Sequence, residues 1–317
     1  MRAAAFTEFG GPDVFQVIEL PAPTAGSGEV VVKVAASTVN PTDTLMRSGK
    51  QADLMRELSP PYIDGVEFAG WVHQLGAGVA GFAVGQKVMG IVNARRPGGG
   101  AHAEFVCVPA DSLAALDASA DLVAAATVPM NGLTAKMCVE MLELQPGATI
   151  LVTGGAGAAG SYAIQIAKQF GLVVIADAKD ADAALLRSLG ADHVVPRGEG
   201  MADAIRRICP NGVDGMIDAA LIGDAAAASV RDGGTTVSLR RTHPITDPRV
   251  RSLYVMVFNQ ATNAEALRWL GEMLKTGKLT PRVAARLPMA QAGEAHRLVE
   301  QGGLRGRVVL TFDGSAD

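Results

Sequence analysis

The chain has 317 residues, 49% of them hydrophobic and 19% charged, with 37 Gly, 16 Pro, 3 Cys and a formal net charge of −4. A chain of about 300 residues buries roughly three quarters of its unfolded surface and has reached the size at which one core tends to split, which excludes a disordered or fibrous protein and predicts two domains. The slightly acidic balance (pI ≈ 5.8) makes nucleic acid and anionic membrane surfaces poor partners, and no apolar run approaches the ~20 residues that span a bilayer.

Up to about residue 122, short apolar runs are punctuated by Gly and Pro. Segments 29–35, 68–74, 87–92 and 103–108 read as strands of a small, bent antiparallel barrel or sandwich. Segment 124–142 carries apolar residues at helical spacing, and Pro146-Gly147 turns the chain into a strand over 149–153. Strand and helix then alternate, with helices predicted over 161–170, 181–189, 201–208 and 224–230 and strands over 173–176, 193–195, 213–218 and 235–239. Such alternation requires a doubly wound parallel sheet, an α/β Rossmann domain. Helices follow over 264–276 and 290–301, and a strand over 307–311 has the pattern of the first region. The expected organisation is a β-rich domain of residues 1–122 with 275–317, and a Rossmann domain of residues 123–274. The three cysteines, Cys107, Cys138 and Cys209, are dispersed and odd in number, and no secretory apolar region opens the chain, so a reducing cytoplasm is expected.

The segment with most chemistry in it follows the strand over 149–153. Gly154-Gly155-Ala156-Gly157-Ala158-Ala159-Gly160 leads directly into an apolar helix, and Gly155, Gly157 and Gly160 satisfy GxGxxG. In that pattern the first glycine makes the tight turn, the second lets backbone approach a pyrophosphate, and the third lets helix and strand pack closely. The N–H groups of the helix then face the phosphates. Dinucleotide binding is the reading on which strand, loop and helix agree. Asp177, 22 residues after Gly155, stands where a carboxylate takes the adenosine ribose hydroxyls and disfavours a 2′-phosphate. Lys179 and Arg197 stand where they could hold that phosphate. Equally, Asp177 could cap the next helix while Lys179 and Arg197 are solvated surface charges.

Met1-Arg2-Ala3-Ala4, Phe9-Gly10-Gly11-Pro12, Gly28 to Val34, Asn40-Pro41-Thr42-Asp43, Gly65 to Gly70, Gly132-Leu133-Thr134-Ala135, the glycine loop, Leu189-Gly190-Ala191-Asp192 and Arg305 to Leu310 occur in one order along nearly the whole chain. In these segments the sequence resembles the zinc-independent medium-chain dehydrogenase/reductases of the quinone oxidoreductase, zeta-crystallin-like type. The resemblance implies a GroES-like catalytic domain split around the Rossmann domain, an active site in the cleft, a homodimer, and NADPH narrowly ahead of NADH. It implies hydride transfer to a small-molecule quinone or to the C=C bond of an α,β-unsaturated carbonyl compound. Where the zinc-dependent branch has Cys and His ligands this chain has Asn40 and Val66, and no Cys follows in residues 91–100, so no metal is expected.

By the same resemblance Asn40 sits near the nicotinamide with its amide free to donate, Thr134 lies at the nicotinamide or its ribose, and Asp43 braces the loop from behind. Ala219, Ala220, Ser238, Leu239 and Phe258 are the remaining implied cofactor contacts. Several of the best-known quinone reductases carry a Tyr a few residues after the Asn-Pro-x-Asp motif, but residues 48–53 here contain none. Tyr62 is the nearest phenol for a catalytic role, against a structural one, and water is the other proton source. Arg240 and Arg241 follow a predicted strand and could hold a carboxylate or a coenzyme A phosphate, or be solvated. Cys107 and Cys138 are expected to be buried thiols, and His73, His102, His193, His243 and His296 have no partner that the sequence names. Two other readings stay open: an enoyl-thioester or polyketide-intermediate reductase, and a non-catalytic, crystallin-like dinucleotide-binding protein.

Overall fold

Short, largely apolar segments open the chain as strands in the computed structural model, which describes residues 1–242 and 244–312. In chain order, β1 (Arg2–Phe6), β2 (Gln16–Glu19) and β3 (Glu29–Val39) precede helix α1 (Pro41–Arg47). They are followed by β4 (Tyr62–Ile63), β5 (Glu67–Leu75), β6 (Lys87–Ile91), β7 (Phe105–Pro109) and β8 (Leu113–Ala115). The single helix expected over 124–142 is two, α2 (Leu122–Ala125) and α3 (Pro129–Met141), because Pro129 offers no N–H to a helix arriving from its N-terminal side and suits a first turn. Then come β9 (Thr149–Thr153), α4 (Ala158–Gln169), β10 (Val173–Ala178), α5 (Ala183–Ser188), β11 (His193–Pro196), α6 (Met201–Ile208) and β12 (Val213–Asp218). The chain ends with β13 (Val230–Ser238), β14 (Arg251–Tyr254), α7 (Ala264–Lys275), β15 (Val283–Pro288), α8 (Ala292–Gln301) and β16 (Arg307–Thr311).

Two compact units result. The first comprises Met1–Met130, Phe258–Gly277 and the stretch from Pro281; the second comprises Asn131–Val257 with Lys278–Thr280. In the first, β2-β1-β4 form a small antiparallel sheet, and β15-β16-β3-β5-β6-β8 form a larger one with β7 also paired to β3. Every pairing there is antiparallel except β15 with β16. Val30, Val32, Val34, Phe68, Leu113, Val308 and Leu310 fill its core. Helix α7, expected in the Rossmann domain, belongs to this unit: it lies against β8, with Gly271 close to the Ala115 carbonyl and Lys275 3.6 Å from Asp117.

In the second unit all six strands run parallel in the order β11-β10-β9-β12-β13-β14. Numbered from β9, this is 3-2-1-4-5-6, the doubly wound order, and its direction reverses between β9 and β12. Leu151, Ile175, Met216 and Ile205 pack at its centre. The helix expected over 224–230 is instead a 3₁₀ segment, Gly223–Ser229, entered through a left-handed Leu221 (φ 57°). No helix among the described residues is long and apolar enough to cross a membrane.

Candidate functional site

The carboxyl edge of the parallel sheet is built around the glycine loop. Gly154 makes the left-handed turn (φ 64°), a role expected of Gly155. Gly155 is instead a packing position, since a Cβ there would lie 3.0–3.2 Å from Ile164, Leu186 and Ala176. Gly160 has no room either: its Cβ would stand 2.4 Å from the Gly154 carbonyl. Gly157 differs, with extended backbone (φ −73°, ψ 174°) at the N-cap of α4, where a Cβ would meet only the Gly154 carbonyl, at 3.1 Å. Ala156, Gly157, Ala158 and Ala159 are half-buried, leaving the start of α4 open where its N–H groups lack intrahelical partners.

Asp177 braces this loop. Buried at the end of β10, its carboxylate accepts the Gly154 N–H at 2.5 Å through Oδ1 and Arg197 Nε at 3.0 Å through Oδ2. It caps no helix; Arg197, though about half exposed, pairs with this buried acid, and Lys179 is exposed. Asp218 does similar work at the end of β12, accepting Thr153 Oγ1 at 2.7 Å, the Ile222 N–H at 3.2 Å and the Gly223 N–H at 2.9 Å. Thr153 Oγ1 accepts the Ala220 N–H at 3.0 Å, so Ala219 and Ala220 sit against Gly154. Ser238 pairs with Asp218 and Tyr254 in the adjoining strands and buries a hydroxyl that has no partner among the described residues. Leu239 beside it is half-buried. The fold thus gathers the glycine loop, Asp177, Arg197, Ala219, Ala220 and Ser238 along one sheet edge. An open glycine at a helix start and an orphaned buried hydroxyl on the same edge fit a dinucleotide. Thr134 is buried within α3.

The first unit holds a second polar centre, around Glu67, which sequence reasoning did not single out. Fully buried on β5, Glu67 accepts Thr38 Oγ1, Asn40 Nδ2 (2.9 Å) and Arg307 Nη2 (2.6 Å) through Oε1, and the Met130 N–H (2.8 Å) through Oε2. The available signals were an acid opening a run of apolar residues, Phe68 to Val72, and an arginine opening the apolar last strand. Asn40 therefore does not present the free amide expected of it; Nδ2 is turned inward to Glu67 and, at 3.3 Å, to Thr38. Asp43 braces the start of α1 by accepting the Asn40 N–H at 2.7 Å. Tyr62 stacks on Phe9 (5.4 Å, 9°), touches Phe6, and donates its hydroxyl to the Leu58 carbonyl at 3.3 Å, apart from this network. Phe258 lies under the Arg95 guanidinium at 5.8 Å.

Burial perturbs several groups beside this centre. Desolvation raises the Asp43 carboxyl to about 7, and raises that of Asp64, whose two oxygens have no partner among the described residues, well above the usual range, with Asp43 adding to the effect. Both then bind a proton more tightly folded than unfolded, so the stability they allow is complete below the unfolded value of 3.8 and is lost as pH rises through their folded values. Asp64→Asn is therefore expected to melt higher than wild type at about pH 8, with the advantage shrinking toward about pH 5. A melting-temperature difference that is flat across this range would refute the assignment. His102 is held neutral, its pKa lowered to about 3 by burial, with Nδ1 3.0 Å from Ser37 Oγ; buried His296 is likewise lowered. His243 lies outside the described residues.

Cys138 is buried, while Cys107 is only half-buried, at the wall of a cavity of about 740 Å³ in the first unit; burial and Glu29 push its thiol to about 11. Tyr62 lines that cavity, but no other predicted site residue does. Among the described residues no three of His, Cys, Asp and Glu are placed to share a metal ion.

Comparison with known proteins bears on the same two units. Residues 26–118 match the alcohol dehydrogenase GroES-like domain model and residues 189–310 a zinc-binding dehydrogenase model. The chain is 30% identical to a 2-methylene-furan-3-one reductase of Solanum lycopersicum over 319 aligned residues, 98% of this chain and 79% of the relative. It is equally similar, at 30% with the same coverage, to an NADPH-dependent alkenal/one oxidoreductase of Arabidopsis thaliana. The quinone oxidoreductase of Coxiella burnetii superimposes with a TM-score of 0.85 at 29% identity, covering 98% of this chain and 99% of that one. A doubly wound nucleotide-type sheet, a β-rich unit with a GroES-like match, and similarity that runs from end to end make one conclusion: the chain belongs to the medium-chain dehydrogenase/reductase family of oxidoreductases.

Proposed function

We propose that the protein reduces a quinone or the C=C bond of an α,β-unsaturated carbonyl compound with NADPH, without zinc. The observation that carries this reading is the carboxyl edge of the parallel sheet, where an open Gly157 at the start of α4 and the orphaned Ser238 hydroxyl stand in line. A reduced nicotinamide dinucleotide bound there supplies the hydride. Gly157 and the first turn of α4 hold the pyrophosphate. Asp177 is spent on Gly154 and Arg197, so it does not bind ribose; the half-exposed Arg197 neutralises it and turns its remaining N–H groups, with Lys179, to a 2′-phosphate. Thr134, Ala219, Ala220, Ser238, Leu239 and Phe258 complete the cofactor contacts.

Asn40 acts as a positioning residue, fixed by Glu67 at the head of α1. With the Tyr62 hydroxyl engaged, water supplies the proton to the α-carbon. Asn40 and Val66, at the positions of zinc ligands in the zinc-dependent branch, support chemistry without that metal. The acceptor is a small molecule, and we place the protein in the cytoplasm as a homodimer, on its unpaired thiols and its family resemblance.

Paired NADPH and NADH titrations, followed by cofactor-oxidation assays with 9,10-phenanthrenequinone and a simple enone, test the reading. Wild type is expected to bind NADPH more tightly, and Arg197→Gln to lose about tenfold for NADPH and nothing for NADH. Tighter NADH binding would return Asp177 to the ribose, and tight binding with no turnover of either acceptor would leave a non-catalytic dinucleotide-binding protein.

A further inference from the structure

We propose that Arg240 recognises a carboxylate on the acceptor, so that the preferred substrate is an unsaturated carbonyl compound that also carries an acid group. This rests on the reductase reading above and specifies its substrate class. Arg240 lies two residues past the end of β13 and is half-buried, yet it has no hydrogen bond and no ion pair among the described residues. Desolvation alone lowers its pKa, with no acid opposing it. Its neighbour Arg241 shows the contrast: its Nη1 donates to the Tyr254 hydroxyl at 3.0 Å, and its guanidinium lies 4.5 Å over the same ring. Ser238, just before, buries a hydroxyl with no partner among the described residues. The end of β13 thus carries two polar groups that have no counterpart among the described residues.

A guanidinium that has lost much of its water without gaining a counter-charge is costly, and a planar carboxylate matches its paired N–H groups. The topology separates this anion from the cofactor's own phosphates. The pyrophosphate seat is at the loop after β9, and the 2′-phosphate reading belongs to β10 and Arg197. With strands about 4.8 Å apart, β13 lies two steps, about 10 Å, from β9 and three steps, about 14 Å, from β10. A dinucleotide with its adenosine over β10 therefore runs toward β12 and β13 with its reactive end, and an anion held there belongs to the acceptor.

The test compares acetylacrylate with its methyl ester, matched except for the charge, in wild type, Arg240→Gln and Arg240→Lys. In parallel, levulinate binding to the NADP⁺-loaded protein and NADPH binding are measured by calorimetry. Arg240→Gln is expected to lower the acid-to-ester ratio of kcat/KM about 10- to 100-fold, mainly through KM, with Arg240→Lys between. Levulinate binding should weaken by a similar factor while NADPH binding holds. An unchanged ratio, or no levulinate binding to wild type, overturns the proposal, and an equal loss of NADPH affinity reassigns Arg240 to a cofactor phosphate. If levulinate binds through Arg240 but neither acceptor is turned over, the anion site stands and the reductase reading fails.

Discussion

Gly157→Asp is expected to weaken NADPH binding roughly a thousandfold while changing the melting temperature little. The two halves of this expectation have separate causes. Gly157 has extended backbone that any residue adopts, and a Cβ there meets only one carbonyl, at 3.1 Å. Aspartate is among the preferred residues at a helix N-cap and can accept the orphaned N–H groups of the first turn, which offsets the small shift that the Gly154 carbonyl must make. The same carboxylate takes the seat of the pyrophosphate. Two charges 4–5 Å apart at an effective dielectric near 20 repel by about 4 kcal/mol, which is about three powers of ten in affinity. Gly157→Asn, nearly isosteric, should lose far less. Gly160→Ala is the structural counterpart, since its Cβ would stand 2.4 Å from the Gly154 carbonyl; it should lower the melting temperature first. Fluorescence titration with NADPH and thermal melts of the three variants separate these effects. Equal affinity in wild type and Gly157→Asp would mean that the pyrophosphate does not lie on this loop.

That contrast between neighbouring glycines marks what could be read from sequence. The motif, its strand and its helix were legible because β-branched residues, glycines and an apolar helix follow one another without interruption. Which glycine makes the turn was not, because Gly154 takes that role only with Asp177 accepting its N–H from 23 residues away. The alternation that predicts the parallel sheet lies in local hydrophobic period, but β14 and β15 were missed, since they are short, largely exposed and carry arginines. The 3₁₀ segment after β12 replaces the expected helix where the Asp218 carboxylate collects the Ile222 and Gly223 N–H groups. The setting of Asn40 was not legible for the same reason: its partners, Glu67 and Thr38, belong to β5 and β3, and only the folded sheet brings them together with Arg307 from the last strand.

Arg307→Met is expected to cost about 3–5 kcal/mol, the scale for breaking a buried ion pair, and to lower the melting temperature by roughly 10 °C. The reason is the imbalance left behind. Arg307 and Glu67 are 5% and 0% exposed with their charged atoms 2.6 Å apart, so removing the guanidinium leaves a carboxylate in the core held only by Thr38, Asn40 and the Met130 N–H. Glu67→Gln leaves the opposite fault, a buried cation with only neutral acceptors: the Gln amide oxygen, Thr38 Oγ1 and, at 3.4 Å, the Val39 carbonyl. The double variant carries neither uncompensated charge, so its loss should fall short of the sum of the singles by about 2 kcal/mol or more, on the order of measured couplings between touching residues. Additive losses would show that the pair is not a coupled unit.

A functional arm distinguishes anchoring from mere stability. Glu67 fixes Asn40 at the head of α1, whereas the glycine loop belongs to the second unit. Glu67→Gln at a temperature where it is fully folded should therefore lower kcat while leaving the NADPH dissociation constant near the wild-type value. A matched loss of cofactor affinity would instead tie the buried pair to the dinucleotide and remove Asn40 from its positioning role.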